Sequence, residues 1–411
     1  MQSLIKKIPM LAGLTLIVLL GTSAQTAAQD DTQYTPIVIS LLAAPNPVRG
    51  SDDVFHLVYE LQVTNASEIP WRVDAVEVFD TENDERVLAS SSGDDVLNQM
   101  VLLSDRSPTN TLEPGQAGLI FLHVPIATEN TIHSTLAHRL TIRVPGGIPP
   151  EIARFAGLPP GEEHLIEIGG MTEVSSAEAI VVGPPLEGSG WIAANGCCTS
   201  PTVHIRAVLP IDGQLHLSQR FAIDWMPLNE DNRLFVGDPS DVQSYFSYGA
   251  NVLAVADAEV VAAADGFKDQ IPGELPTDIT LEELLGNHVV LDLDGSDHFA
   301  FYAHLKPNSV AVKEGDRVRR GQVLGLVGNI GNTSAPHLHF HVMASPSSVG
   351  SNGLPYVIDT FDLLSRSASD EAFGRAIEEG KPLEVVAVDD PGRHTQQLPL
   401  DHTIVGFASS D

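Results

Sequence analysis

Cysteine is almost missing from this chain: Cys197 and Cys198 are the only two among 411 residues, and they are neighbours. Adjacent cysteines cannot staple distant segments, so ordinary apolar cores must hold the fold. The pair itself leaves three states open: a vicinal disulfide in an oxidising compartment, two free thiols, or metal ligands. The plain structural reading is a strained surface turn. Positive charge is scarce as well, with 22 Lys and Arg against 54 Asp and Glu and a formal net charge of −32. That imbalance argues against nucleic acid and anionic membrane surfaces as partners. Long hydrophobic runs are lacking too. Lys6 and Lys7 precede an apolar stretch from Ile8 to Gly21, and small residues follow through Thr26-Ala27-Ala28. Such a run is shorter than the roughly 20 residues a membrane helix needs, so residues 1–28 read as a cleaved secretory signal. No cysteine lies near that cleavage site, which disfavours a lipid anchor, and no later segment reads as a membrane span. The expected localisation is secreted or periplasmic.

What is abundant is β patterning. Phe55, Leu57, Tyr59, Leu61 and Val63 alternate with mostly polar neighbours, as a half-buried strand requires. Trp71 to Phe79, Gly118 to Val124 and Arg139 to Val144 read as further strands, with a turn at Leu112-Glu113-Pro114-Gly115. Residues 29–185 are therefore expected to form an antiparallel β sandwich, immunoglobulin-like in outline. Its histidines, His56, His123, His133, His138 and His164, are scattered and read as structural or solvent-facing. Gly183-Pro184-Pro185 marks a boundary, and residues 186–364 are again β with many glycines. There Tyr248 to Ala258 and Val312 to Gln322 look alike, as in a fold that duplicates a small hairpin. Thr280 to Leu285 reads as a short helical turn capped by Thr280. Residues 365–411 read as an acidic, weakly patterned tail, with a last strand near Thr403 to Phe407.

The chemistry concentrates at His337-Leu338-His339-Phe340-His341. Alternate strand residues share a face, so this run presents three imidazoles together. Neutral imidazole is the commonest zinc ligand and a proton shuttle near neutral pH. The bland alternative is a polar outer strand face.

Ala335-Pro336-His337-Leu338-His339-Phe340, with Tyr302-Ala303-His304-Leu305, Gly321-Gln322-Val323-Leu324-Gly325 and Ala222-Ile223-Asp224-Trp225, resembles the lysostaphin-type zinc endopeptidases. The resemblance covers residues 190–345 and implies an all-β fold with a lysostaphin-like duplicated-hybrid-motif core. It also implies one Zn²⁺ and hydrolysis of peptide cross-links in peptidoglycan. Carried over, Asp224 and His339 would be zinc ligands, and His337 and His304 would flank the metal-bound water as general base and transition-state stabiliser. His341 stands where the family more often has a carboxylate, and would orient a ligand from behind.

One position departs from the family. Its first ligand is a histidine four residues before the aspartate, and here that residue is Arg220, which cannot ligate zinc because the guanidinium stays protonated. Ala222 also stands where the family has glycine. His216 lies too far along an extended strand. His204 is better placed, because the hairpin signal Asp212-Gly213 folds it back toward Phe221. A strict two-residue turn would put His204 on the wrong face, and a bulge would correct that. Two readings stay open: His204 as the third metal ligand, or no third ligand, with Arg220 paired to Asp224 in a non-catalytic protein that binds cell wall or a partner. A biotinyl or lipoyl carrier would need a lysine at a hairpin tip beside methionine, a context Lys268 and Lys313 lack. Trp191 and Trp225 read as core or groove residues, and Asn287 as part of the site floor. The expected substrate is peptidoglycan or another extracytoplasmic peptide; oligomeric state is not legible.

Overall fold

The computed structural model describes residues 33–82, 85–127, 135–159, 161–198, 202–293, 295 and 297–408. The expected signal segment 1–28 and His133 lie outside these residues. Two five-stranded sheets and one of thirteen strands account for most of the rest.

The first sheet orders the strands Ile37–Leu41, Phe55–Asn65, Ala117–Ile126 and Met100–Leu102; the second orders Leu165–Glu173, Thr135–Arg143, Trp71–Asp80 and Arg86–Ser92. Tyr59 on the first sheet meets His138 on the second, Oη to Nε2, at 2.8 Å. The predicted alternation is present: Leu57, Tyr59, Leu61 and Val63 are all buried. The opposite face of that strand is not solvent-facing, however. Val58, Leu119 and Phe121 belong to the same apolar cluster as Trp225, Leu338 and Phe340 of the large sheet.

Glu167 is buried in the second sheet. The Ile37 N–H donates to its Oε1 at 3.1 Å, while Oε2 has no partner. Burial pushes this carboxyl up from 4.5 to about 7, the Ile37 bond opposing it only in part. A carboxyl raised in the folded state leaves stability intact below its unfolded pKa and removes it as pH climbs from 4.5 through about 7. Glu167→Gln keeps the acceptor without the charge. Urea unfolding should show it stabilised by roughly 2–3 kcal/mol at pH 8 and unchanged near pH 4. A gain of equal size at both pH values would refute the assignment.

In the large sheet, Gly188–Ala194, Ile223–Pro227, Leu338–Met343 and Phe299–Ala303 lie side by side. Their antiparallel registers align Ala194 with Asp224, Asp224 with His339, and His339 with Ala303. One transverse row therefore crosses four strands, and Asn195 and His304 follow at its two ends.

The stretch expected as a weakly patterned tail is folded. Asp370–Glu379 is a helix whose N-cap Ser369 Oγ accepts from Ala372 N–H, with Asp370 and Glu371 in its first turn. Acidic residues there oppose the positive end of the helix dipole. Gly392–Gln397 pairs with Tyr356–Ser367, and Thr403–Phe407 sits between Tyr356–Ser367 and Gly188–Ala194. At Thr280 the hydroxyl and backbone N–H bond Glu283, which returns its own N–H to the hydroxyl, so the expected capped turn is present. No helix among the described residues is long and apolar enough to cross a membrane.

Candidate metal centre

Asp224 sits in the middle of the transverse row, buried, with four side chains on its carboxylate. Asn195 Nδ2 donates to Oδ2 at 2.8 Å and His204 Nε2 lies 3.3 Å from the same oxygen. His337 Nε2 and His339 Nδ1 lie 3.2 and 2.9 Å from Oδ1. With His304 beside His337 and His339, the site brings together Asp224, His339, His204, His304 and His337, the proposed metal-ligand and catalytic residues of the sequence.

Ring orientation decides what these imidazoles can do. The Nδ1–H groups of His204, His304 and His337 donate to the carbonyls of Asn195, Ile330 and Ala335 at 2.8, 2.5 and 2.7 Å. Those bonds fix the tautomer and leave each Nε2 facing inward as an acceptor or ligand. His339 is turned the other way. Its Nδ1 faces Asp224, and its Nε2 meets His341 Nδ1 at 3.0 Å. Donation by His339 Nε2–H to His341 would leave Nδ1 with its lone pair free. His341 is fully buried behind His339, where the sequence reading put it, and its own Nε2 has no partner.

The donors His204, Asp224 and His339 lie within 4.8 Å of one another, and so do His304, His337 and His339. Two nitrogens and a carboxylate, buried and each braced from behind, are the donor chemistry a zinc ion takes. The residues present therefore fit that ion.

The electrostatics follow from burial and from Asp224. Burial alone would raise the Asp224 carboxyl, but His204 and His337 outweigh it and hold the group well below the carboxylate range. Burial opposes charge on His204 and His337 too, yet Asp224 raises both. At His304 burial, reinforced by His337 and His339, outweighs the pull of Asp224 and the Ile330 carbonyl and holds the imidazole well below its usual range. Burial likewise brings His339 down to about 4.

His204 arrives by a route the sequence only half describes. The expected tight hairpin exists, with Ile211 paired to Gln214 across Asp212-Gly213. Pairing ends at Leu209 and His216, and residues 203–206 form a turn, so no bulge is needed. Off the strand, His204 escapes the alternation that would have faced it away from Asp224. His216 stays on the hairpin, outside the donor groups.

Arg220 does not pair with Asp224. Its Nε and Nη2 meet the Glu60 oxygens at 3.0 and 2.7 Å, and Nη1 donates to the Gly353 carbonyl at 3.1 Å. The chain turns just after it, with Ala222 N–H on Gln219 O, before the strand carrying Asp224 begins.

His304 occupies positive φ, at 63°, immediately after the strand Phe299–Ala303. A non-glycine residue there is strained, a condition concentrated at functional sites. Asn287 braces the position: it is fully buried, its Nδ2 donates to Leu305 O at 3.2 Å, and its Oδ1 accepts from Phe267 N–H. Sequence reasoning missed Asn195, although Asn195-Gly196 was a legible turn signal. It also missed Thr333, whose hydroxyl lies 3.3 Å from His337 Nδ1. Trp191 and Trp225 are buried in the core and do not line the cleft. The cleft holds about 420 Å³ and has an apolar wall that includes Leu275, Leu284, Phe373 and Ile377, the last two from the supposed tail.

Among known proteins, residues 242–351 match peptidase family M23. His304, His337 and His339 fall inside that match; His204 and Asp224 lie upstream. Glycyl-glycine endopeptidase ALE-1 of Staphylococcus capitis is 31% identical over 112 residues, 27% of this chain and 26% of that protein. Peptidoglycan DD-endopeptidase ShyA of Vibrio cholerae serotype O1 is 41% identical over 58 residues, 14% of this chain and 13% of its own. The chain thus spans about a quarter or less of these relatives. The solved catalytic domain of lysostaphin from Staphylococcus simulans is 23% identical and covers 40% of this chain and 88% of that one, with a TM-score of 0.23.

Proposed function

We propose, from the premise that residues 242–351 belong to peptidase family M23, that this chain is a secreted zinc endopeptidase cutting peptide bonds of peptidoglycan. The observation that carries the proposal is the convergence of His204 Nε2, the Asp224 carboxylate and His339 Nδ1, with His304 and His337 turned to the same point. His204, Asp224 and His339 would hold the ion. Zinc, when bound, supplies Lewis acidity that polarises a peptide carbonyl and makes water a nucleophile near neutral pH.

The remaining work belongs to the chain's own groups. The His304 and His337 rings lie 4.8 Å apart by centroid, each anchored through Nδ1, so both present Nε2 to the cleft. One Nε2 accepts the proton of the attacking water, and an Nε2–H returns a proton to the leaving amine. Asp224 is what raises His337; engaged as a ligand it pulls less strongly, and His337 moves toward the neutral form a base requires. Asn195 fixes the carboxylate, and His341 fixes the His339 ring. The apolar cleft wall excludes water around the reacting bond.

The relatives named as peptidoglycan and glycyl-glycine endopeptidases support the substrate class. Residues 1–28, as a cleaved leader, would deliver the chain to the cell wall. The non-catalytic alternative drew on Arg220 standing in a ligand's place. Arg220 is committed to Glu60 and not to Asp224, so the pairing that alternative called for is not formed. The test is zinc content of the purified chain together with release of fragments from purified sacculi. One zinc per chain and released fragments, both lost in His339→Ala, are expected. A zinc-free chain that leaves sacculi intact would sink the proposal.

A further inference from the structure

Where the sandwich packs on the large sheet, two histidines that are far apart in sequence meet the cysteine pair. His56 lies on Phe55–Asn65 and His123 on Ala117–Ile126, neighbouring strands whose register sets Val58 opposite His123. The two rings stack with centroids 5.1 Å apart, and His56 Nδ1 lies 2.8 Å from His123 Nε2. Cys198 Sγ joins them, all three donor atoms lying within 4.8 Å of one another. His56 and Cys198 are buried, at 2% and 3% exposure. Cys197 and Cys198 form a vicinal disulfide here, inside the interface, so the expectation of a surface turn does not hold.

We infer that this cluster is a second, redox-gated metal site, taking a zinc-class cation on His56, His123 and Cys198 once the vicinal disulfide is reduced. Three features carry this. The donor set of two imidazoles and one thiolate suits borderline to soft cations and differs from the sulfur-free set around Asp224. The span is closed by about 1 Å of side-chain movement, given metal–ligand bonds of roughly 2.0–2.3 Å. Behind the cluster, His56 Nε2 lies 3.0 Å from Asp52 Oδ1, the carboxylate–histidine arrangement that points the other ring nitrogen at a metal. A packing role alone would not require a carboxylate-backed imidazole stacked on a second imidazole beside the cysteine pair.

Reduction is supplied by a dithiol. Its thiolate attacks one sulfur of the Cys197–Cys198 bond to give a mixed disulfide, and its second thiol closes the ring. The dithiol leaves as a cyclic disulfide, having delivered two electrons and two protons, and Cys197 and Cys198 become thiols. Cation binding then releases the Cys198 proton to solvent. The cluster adjoins the other site through a short turn: Asn195, three residues before Cys198, bonds both His204 and Asp224. Filling it would pin that turn.

Cobalt(II) titration of the full chain reads the two sites separately, because only this cluster can give a sulfur-to-cobalt charge-transfer band. The chain reduced by dithiothreitol and freed of it anaerobically should bind one more cobalt than the oxidised chain and show that band. Cys198→Ser and His123→Gln should lose the band and the extra equivalent. Cys197→Ser, which removes the disulfide but keeps every proposed donor, should bind the extra cobalt without any reductant. Asp52→Asn should weaken it about tenfold. No band in reduced chain or Cys197→Ser, each folded by circular dichroism, overturns the inference; so does a band that survives His123→Gln with undiminished affinity. Failure of the Asp224 site would instead remove a sulfur-free equivalent and leave the band in place.

Discussion

His204→Ala should lower zinc affinity by more than ~100-fold, beyond the range expected for losing an outer partner alone, and abolish fragment release from sacculi. The expectation rests on its position: Nδ1 is spent on the Asn195 carbonyl, and Nε2 faces Asp224 at 3.3 Å as a member of the donor group with Asp224 and His339. The companion variant is Arg220→His, which restores the residue type that lysostaphin-like chains carry four positions before the aspartate. Here it should not rescue His204→Ala, since the side chain at 220 points at Glu60 and the Gly353 carbonyl. Equilibrium dialysis against a zinc chelator reads both. Equal zinc in wild type and His204→Ala would remove His204 from the ligand set, and rescue by Arg220→His would show that position 220 can still reach the metal.

Much of this site is readable in the chain because its signals are local. A period of two puts His337, His339 and His341 on one strand face, and that strand then pairs directly with the one bearing Asp224. Where the sequence stops being legible, the contact crosses the fold. Asn195 and Asp224 are 29 residues apart, Glu60 and Arg220 are 160 apart, and His56 and His123 are 67 apart. Each pairing is set by strand register or domain packing, which no window of sequence contains. Two of the histidines read as scattered, His56 and His123, thus meet. The helix Asp370–Glu379 is a different kind of miss. Ser369 followed by Asp370 and Glu371 is a start signal, set in a stretch whose net acidity and weak apolar pattern resemble a solvated tail. His204 lies between these cases: the hairpin at Asp212-Gly213 was visible, and the turn that frees His204 from strand parity was not.

Glu60→Gln should cost the fold about 3–5 kcal/mol, the range for removing one partner of a buried ion pair. Glu60 is fully buried and Arg220 5% exposed, and they bond through two parallel N–H···O contacts. Neutralising Glu60 leaves a buried guanidinium with no balancing charge, held only by neutral acceptors, the new amide oxygen and the Gly353 carbonyl. Replacing both, as Glu60→Leu with Arg220→Met, should restore most of the lost stability, because two well-packed apolar groups incur no desolvation penalty. Urea unfolding of the two single variants and the double variant measures the coupling directly. Additive losses would mean that the pair contributes nothing as a pair. The same experiment bears on the site, since Arg220 opens the turn that leads into Asp224 and Glu60 belongs to the sandwich. If the pair holds that turn, Glu60→Gln should weaken zinc binding while the double variant recovers it. Zinc affinity that tracks stability across all three variants would tie the sandwich to assembly of the metal centre. The position vacated as a ligand would then serve as the clasp between the two halves of the chain.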